Sequence, residues 1–190
     1  MTVLTDVVRG LLFAAGTVWL IVELVNSRRS RAEAVTADHG SRVLLHVAVG
    51  VGFAVAIGLW RVVPATAVQP TVAAWVGLGI LACGVALRVW SFRTLGRYFT
   101  YSVQTSDDQP VISTGPYRVV RHPSYVGLLL VVVGTGMSVA NWLSIISLTA
   151  IMLSALVYRV VVEDRVLLRE LGQRYRDYAA THKRLIPFIW

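Results

Sequence analysis

The chain has 190 residues, of which 56% are hydrophobic and 15% are charged, and its mean hydropathy is +0.66. This composition excludes an ordinary water-soluble domain and predicts a helical protein that crosses a membrane several times. The net charge of +8 is typical of proteins that bind nucleic acid or anionic lipid, so its meaning depends on where the basic residues lie.

Apolar runs predict five transmembrane helices in an all-α protein, because each run is close to the ~18 residues that a span requires. The first three spans are expected near residues 7–26, 43–63 and 72–91. No small-residue cleavage site follows the first run, which indicates a retained span rather than a signal peptide. The apolar stretch 126–162 is too long for one span, and Asn141 with Trp142 predicts a tight hairpin that divides it into spans four and five.

The basic residues alternate with nearly uncharged segments along the chain. Most of the 18 Lys and Arg residues lie at residues 28–42, 93–121 and 165–184. The positive-inside rule therefore predicts an N-terminus outside and a C-terminus in the cytoplasm. Attraction to anionic membrane lipids is a second consequence of this charge, whereas nucleic-acid binding is not expected.

Two arginines, Arg88 and Arg159, lie near the cytoplasmic ends of spans three and five, where a charge is costly unless it is paired or hydrated. They either extend toward the lipid headgroups or line a polar pocket inside the bundle. Glu163 lies four residues after Arg159 on the same helix face, and Asp164 adds a second carboxylate. Their convergence with His122 favours a cationic pocket that binds the anionic group of an amphiphilic substrate.

The C-terminal segment carries a helical stripe of apolar and aromatic side chains at Leu168, Leu171, Tyr175, Tyr178 and His182. This stripe predicts an amphipathic helix that lies on the cytoplasmic surface or packs over the loops. The chain ends in the apolar residues RLIPFIW, which we expect to fold back onto the bundle and close a cavity.

Other motifs in the sequence do not indicate cofactor or metal chemistry. Gly77, Gly79 and Gly84 in span three do not match a dinucleotide-binding fingerprint, and they predict close helix packing instead. No set of His and Cys residues has the spacing of a zinc site, so no metal is expected.

Four segments carry a resemblance to a known family: LRVWSFRTLGRYFT, VISTGPYRVVRHPSYVG, the acidic pair at 163–164, and LGQRYRDYAATHKRLIPFI. Together they resemble the isoprenylcysteine carboxyl methyltransferase family of integral membrane enzymes, which is related to the phospholipid methyltransferases. The resemblance covers residues 75–190, whereas the two spans within residues 1–70 match only in being apolar. We therefore expect residues 1–190 to form one membrane domain with a methyltransferase core.

The resemblance implies S-adenosylmethionine as methyl donor, in a cytosolic pocket that is closed by the loop before span four and by the C-terminal helix. It also implies a lipophilic or prenylated acceptor that enters from the membrane lipids. The implied donor-binding residues are Tyr117, Arg121, His122, Pro123, Tyr125, Glu163, Tyr175 and Pro187. The implied catalytic and acceptor-binding residues are Arg88, Arg159, Glu163 and Asp164. The family usually has two glutamates at the acidic pair, and Asp164 is one methylene shorter.

Three other functions remain open from the sequence. The acceptor can be a phospholipid or another small lipid, although two pocket arginines favour an anionic acceptor over an amine. Membrane sterol reductases resemble this family in their C-terminal half and bind NADPH, but they are generally longer. A non-catalytic lipid-binding or assembly protein would use Arg88 and Arg159 only to set its depth in the membrane.

Overall fold

The computed structural model describes the backbone of residues 2–27, 35–36, 40–99, 104–105, 110–187 and 189–190, so part of the predicted basic segment 28–42 lies outside the described residues. Six α-helices occur in these ranges: α1 (Thr2–Ser27), α2 (Ser41–Val62), α3 (Pro70–Leu95), α4 (Pro123–Gly136), α5 (Trp142–Glu170) and α6 (Gly172–Thr181). Two short strands, β1 (Val35–Thr36) and β2 (Gln104–Thr105), pair in antiparallel fashion. Short 3₁₀ helices cover Pro64–Thr66, Gly96–Tyr98, Gly115–Arg118 and Met137–Val139.

Four helical segments are long and apolar enough to cross a membrane: Val3–Leu24, Ser41–Val62, Pro70–Tyr98 and Trp142–Glu170. They correspond to predicted spans one, two, three and five, so the chain is a multi-pass helical membrane protein. Predicted span four corresponds to α4, which has 14 residues and therefore covers about 21 Å, less than the ~30 Å of a bilayer's hydrocarbon core. The count of five spans accordingly stays a prediction.

The hairpin between α4 and α5 lies where the sequence predicted it. Asn141 caps α5, since its Oδ1 accepts a hydrogen bond from the backbone N–H of Ser144 at 3.0 Å. Its Nδ2 donates to the carbonyl oxygen of Val63 at 3.1 Å, which ties the hairpin to the end of α2. Ala140 has a φ of 53°, a left-handed conformation that reverses the chain. The predicted division of the long apolar stretch is therefore confirmed.

The backbones of α3 and α4 approach closely because glycines face each other at two levels. A Cβ on Gly77 would lie 2.9 Å from the carbonyl oxygen of Gly134. A Cβ on Gly84 would lie 2.8 Å from the carbonyl oxygen of Gly127. The predicted close packing is thus confirmed for Gly77 and Gly84. It is wrong for Gly79, whose Cβ would meet no described atom within 4 Å.

Replacing Gly84 with valine is expected to lower the free energy of unfolding by about 3 kcal/mol, because the side chain would force α3 and α4 apart. Gly79→Val on the same helix is the matched control, since it changes helix propensity equally but faces open space. We expect thermal unfolding in detergent to separate the two variants. Equal losses at Gly84 and Gly79 would contradict the close approach.

The remaining helices pack so that α1 and α2 lie on different parts of the bundle. α1 packs against α3 and α4, whereas α2 packs mainly along α5. The main core lies among α2, α4 and α5, and its fully buried side chains include Leu148, Met152 and Leu156. This arrangement leaves room for a cavity that both α1 and α2 can line.

The end of the chain folds back onto the loop before α4, as the sequence predicted. The backbone N–H of Arg121 donates to the carbonyl oxygen of Lys183 at 2.8 Å, and that of His122 donates to Arg184 at 3.0 Å. Leu185 is buried in the main core. The tail is therefore held by backbone hydrogen bonds and by apolar packing.

The predicted C-terminal stripe is divided between two helices. A turn at Gly172, with a φ of +58°, separates α5 from α6. Leu171, Tyr175 and Tyr178 nevertheless form one buried cluster, which packs against Val111. α6 therefore packs over the loops, which is the second of the two predicted arrangements.

Candidate active site

A cavity of about 470 Å³ lies inside the bundle, and all six helices and the loop before α4 contribute to its lining. Part of the lining is polar and includes Tyr117, His122 and Glu163, and we call this part the polar end. Another part, which we call the apolar end, is formed by apolar side chains of α1 and α2 such as Phe13, Leu20, Val49 and Phe53. This volume is typical of small-molecule sites, and the division suits a ligand with a charged head and an apolar body.

Arg88 lies at the junction of α1, α3 and α4 and is 4% exposed. Its Nε and Nη2 donate to the two carboxylate oxygens of Glu23 at 2.5 and 2.6 Å. Its Nη1 donates to the carbonyl oxygen of Ser124 at 2.7 Å. The interpretation that Arg88 extends toward the headgroups is therefore wrong, because it is paired inside the bundle.

Arg159 is 2% exposed and connects α5 to α2 and α4. Its Nε donates to the hydroxyl of Tyr125 at 2.8 Å, and its Nη1 donates to the hydroxyl of Ser41 at 2.8 Å. The Tyr125 hydroxyl in turn donates to the carboxylate of Glu163. A chain of hydrogen bonds therefore runs from Arg159 to Glu163 and orients the carboxylate that faces the cavity.

Asp164 holds separate segments of the chain together. Its Oδ1 accepts hydrogen bonds from His122 Nε2 at 2.9 Å and from the Tyr175 hydroxyl at 2.7 Å. Its Oδ2 accepts from Arg184 Nε at 2.7 Å and pairs with Arg121 Nη1 at 3.0 Å. Because Asp164 is 2% exposed, these donors take the place of water around its charge. The loop before α4, α6 and the tail all meet at this carboxylate.

The two acids of the predicted pair occupy different positions. Glu163 lines the cavity, whereas Asp164 lies behind the lining residues. His122 lies between them. Its Nε2–H donates to Asp164, and its Nδ1 lies 3.9 Å from the carboxylate of Glu163. The bond to Asp164 places a hydrogen on Nε2, because an ionised carboxylate can only accept. The arrangement therefore suits a positioning role for Asp164 and ligand contact for Glu163.

Three buried tyrosines, Tyr117, Tyr175 and Tyr178, line the polar end of the cavity outside the predicted spans. Burial raises the pKa of all three above the ordinary value of 10.0, and the nearby Asp164 carboxylate further raises the pKa of Tyr175. Their hydroxyls therefore stay protonated and act as donors. The Tyr178 hydroxyl donates to the carbonyl oxygen of Tyr117 at 2.7 Å.

The raised pKa values predict a loss of stability above about pH 10. Below that pH these tyrosines are protonated in both states, so they contribute no pH dependence. Above it the unfolded chain loses protons that the folded protein keeps, so the free energy of unfolding falls by about 1.4 kcal/mol per pH unit for each tyrosine. Tyr175→Phe is expected to make this dependence shallower in denaturant unfolding, with the exposed Tyr158→Phe as control. An unchanged slope in Tyr175→Phe would contradict the assignment.

Some predicted site residues do not line the cavity, and one that does has an unsatisfied donor. Pro123 is fully buried in the first turn of α4, and Pro187 is exposed. Neither of them belongs to the lining.

Arg121 lines the cavity, and its buried Nε has no hydrogen-bond partner among the described residues. Within the same ranges no cluster of His, Cys, Asp and Glu suited to a metal ion occurs.

Sequence reasoning missed the polar residues that α1 and α2 bring to the site. Glu23, Arg42 and His46 line the cavity, and Ser41 binds Arg159. The sequence contained one signal for Glu23, because a carboxylate inside an apolar span requires a buried partner. Arg42 and His46 are four residues apart and so share a helix face, but this spacing did not indicate what they faced.

Comparison with known proteins identifies the family to which this chain belongs. The sequence model of the phospholipid methyltransferase family matches residues 72–174, which is more than half of the chain. The chain belongs to the phospholipid methyltransferase family. The match contains Arg88, Arg159 and both acids, whereas Glu23 lies outside it.

Individual relatives of this chain have names that are more specific than the name of the family. A probable protein-S-isoprenylcysteine O-methyltransferase of Oryza sativa subsp. indica is 32% identical over 117 residues, which cover 60% of this chain and 61% of that protein. Protein-S-isoprenylcysteine O-methyltransferase B of Arabidopsis thaliana is 30% identical over 115 residues, which cover 60% of this chain and 58% of that protein. The chain thus spans about three fifths of the length of these curated relatives.

A solved structure agrees with these relatives. The eukaryotic intramembrane Ras methyltransferase ICMT superposes on this phospholipid methyltransferase family member with a TM-score of 0.59 and 30% sequence identity. The match covers 76% of this chain and 52% of that one. The resemblance of the sequence to the isoprenylcysteine carboxyl methyltransferase family is therefore confirmed.

Proposed function

We propose that the chain is a membrane methyltransferase that uses S-adenosylmethionine to methylate the carboxylate of an isoprenylcysteine-like acceptor. The observation that carries this proposal is the continuity of one cavity, which joins Glu163 and Arg159 to an apolar region between α1 and α2. The polar end suits a charged donor, and the apolar region suits a prenyl chain. The names of the relatives support the same reaction.

The residues at the polar end fit the donor. S-adenosylmethionine bound there would supply an electrophilic methyl group on a sulfonium. The buried Nε–H of Arg121 has no hydrogen-bond partner among the described residues, so it is a donor suited to the carboxylate of the methionine moiety. Glu163 and the ring of Tyr117 suit its cationic groups, since cations are stabilised by carboxylates and aromatic faces. His122 and Tyr175 act in support, because both are held by Asp164.

The acceptor carboxylate requires positioning and removal of water rather than deprotonation. A carboxylate is ionised at neutral pH, so this chain needs no strong general base. Arg88 and Arg159 orient it, and the hydrogen bonds to Tyr125 and Ser41 hold the Arg159 guanidinium in place. The apolar lining from α1 and α2 excludes water and leaves the carboxylate more reactive.

The charge pattern supports a membrane orientation. Arg121 lines the cavity and Arg184 pairs with Asp164 behind it, and the basic segments to which these two residues belong favour the cytoplasmic side. With α4 as a short fourth span, this gives five spans, an outside N-terminus and a donor site that opens to the cytosol.

Methylation of a phospholipid is the second candidate, because the matching family model carries that description. Its acceptor would be an amine in the lipid headgroup. The lining arginines, including Arg159, disfavour a cationic amine at the polar end, so we rank this candidate second.

The deciding experiment measures transfer of a labelled methyl group from S-adenosylmethionine by detergent-purified protein. A prenylcysteine free acid and a total lipid extract are supplied as separate acceptors. We expect label in the prenylcysteine as a methyl ester, which alkali releases as methanol. Alkali-stable label confined to phospholipid would support the second candidate. Calorimetric binding of NADPH, with no binding of S-adenosylmethionine, would reject both.

A further inference from the structure

We propose that Glu23 is a resident carboxylate that occupies the acceptor's place on Arg88 and is displaced only by an anionic acceptor. Glu23 would then compete for Arg88 with a free acid but not with its methyl ester. This inference rests on the proposed function and adds to it a residue that controls binding of the acceptor. Glu23 and Arg88 both line the cavity, so the pair lies where the head of an acceptor enters.

The geometry of the pair resembles the grip of an arginine on a substrate carboxylate. Both oxygens of Glu23 accept from the Nε–Nη2 edge of Arg88, which is an edge that binds carboxylates in bidentate fashion. The two side chains are 5% and 11% exposed. The Ser124 carbonyl oxygen accepts from Nη1 and fixes the guanidinium plane. The binding edge is therefore well positioned but already occupied by the protein.

A carboxylate can replace Glu23 at little cost, but a neutral group cannot. Separating a buried pair without a substitute leaves a charge without its partner, which is strongly unfavourable. An acceptor carboxylate restores the same two hydrogen bonds to Arg88, and the displaced Glu23 remains in a cavity whose lining also includes basic side chains. An ester has lost the negative charge, so Glu23 returns to Arg88 and the product leaves.

The position of Glu23 in the chain fits a role in acceptor binding. It lies in α1, outside the residues 72–174 that match the family, whereas Arg88 lies inside them. α1 also contributes Phe13 and Leu20 to the apolar end of the cavity. One helix therefore contacts the apolar body of the acceptor and supplies the competitor for its charged head.

Glu23→Gln tests the proposal, because glutamine keeps the size of the side chain and removes its charge. Binding of a prenylcysteine free acid and of its methyl ester to the full chain is measured by calorimetry without donor. We expect the free acid to bind at least about tenfold more tightly than to wild type, with the ester changed less than about twofold. Asp6→Asn, in the exposed pair with Arg9 on the same helix, is the control and is expected to change neither. Parallel changes for acid and ester would overturn the proposal, since they indicate a purely structural tether.

Glu23→Asp provides a second variant if the glutamine variant does not fold. Aspartate keeps the charge next to Arg88 but is one methylene too short for the same bidentate contact. As a weaker competitor it is expected to tighten binding of the acid several-fold, less than Glu23→Gln, and to leave the ester unchanged. Unchanged or weaker binding of the acid would overturn the proposal.

Dodecanoate and methyl dodecanoate separate this inference from the proposed function. They offer the same acid and ester chemistry on a simple apolar chain. Acid-selective tightening by Glu23→Gln, without methyl transfer to prenylcysteine, would retain the inference and reject the function. Methyl transfer without acid-selective tightening would retain the function and reject the inference.

Discussion

Replacing Asp164 with alanine is expected to lower the free energy of unfolding by about 3–5 kcal/mol and to abolish measurable donor binding. The carboxylate is buried, and its loss removes the acceptor shared by Arg121, His122, Tyr175 and Arg184. The buried Arg121 guanidinium and the partly exposed Arg184 guanidinium would then lose this counter-charge. The loop before α4, α6 and the tail would lose their common attachment. Denaturant unfolding in detergent and calorimetry with S-adenosylmethionine measure the two effects.

A matched control for Asp164→Ala exists on α6. Asp177 is exposed, and its Oδ1 accepts a hydrogen bond from Gln173 Nε2 at 2.7 Å. Asp177→Ala is expected to change the free energy of unfolding by less than about 0.5 kcal/mol and to leave donor affinity intact. Similar losses in the two alanine variants would show that the cluster around Asp164 does not hold the site together.

Replacing Arg159 with methionine is expected to lower kcat/KM by about 10²–10³-fold, the effect of removing one preorganised donor from an active site. Methionine fills much of the arginine's volume but cannot donate to Tyr125 or Ser41. The hydrogen-bonded chain to Glu163 would lose its first member, and the acceptor would lose its orienting charge. Arg159→Lys is expected to recover little activity, because a lysine ammonium does not reproduce the guanidinium geometry.

The assignment of Arg159 to the acceptor makes a separate prediction for donor binding. Arg159 reaches Glu163 through the Tyr125 hydroxyl, and Tyr125 keeps its own hydrogen bond to Glu163 when Arg159 is replaced, so the affinity for S-adenosylmethionine is expected to change less than tenfold. Arg165→Met, at an exposed arginine on the same helix, is the control for loss of a basic residue. A fall in donor affinity as large as the fall in kcat/KM would instead assign Arg159 to the donor site.

Much of the helical organisation was predictable because it follows from local patterns. Four apolar runs had the length of a membrane span, and all four form long helices. Asn141 predicted the hairpin because an asparagine side chain can cap a helix while the chain turns. Whether α4 crosses the membrane was not predictable, because an apolar segment of 14 residues suits either a short span or a buried helix.

The sequence by itself determined that this is a helical membrane protein with basic segments that alternate with nearly uncharged ones, and with polar residues at a few costly positions. A charge inside an apolar run is visible in sequence, since its burial requires a partner. The resemblance in the C-terminal part also brought Arg159, His122 and Glu163 to one site before any geometry was known.

Only the tertiary structure decided which of these residues meet and what each one faces. Glu23 and Arg88 lie 65 residues apart, so their contact depends on the packing of α1 against α3. Glu163 and Asp164 are neighbours, but successive helical residues point about 100° apart. One carboxylate therefore enters the cavity while the other joins the cluster behind it. Local patterns place a residue on a helix, but the packing of helices distant in sequence determines its partners.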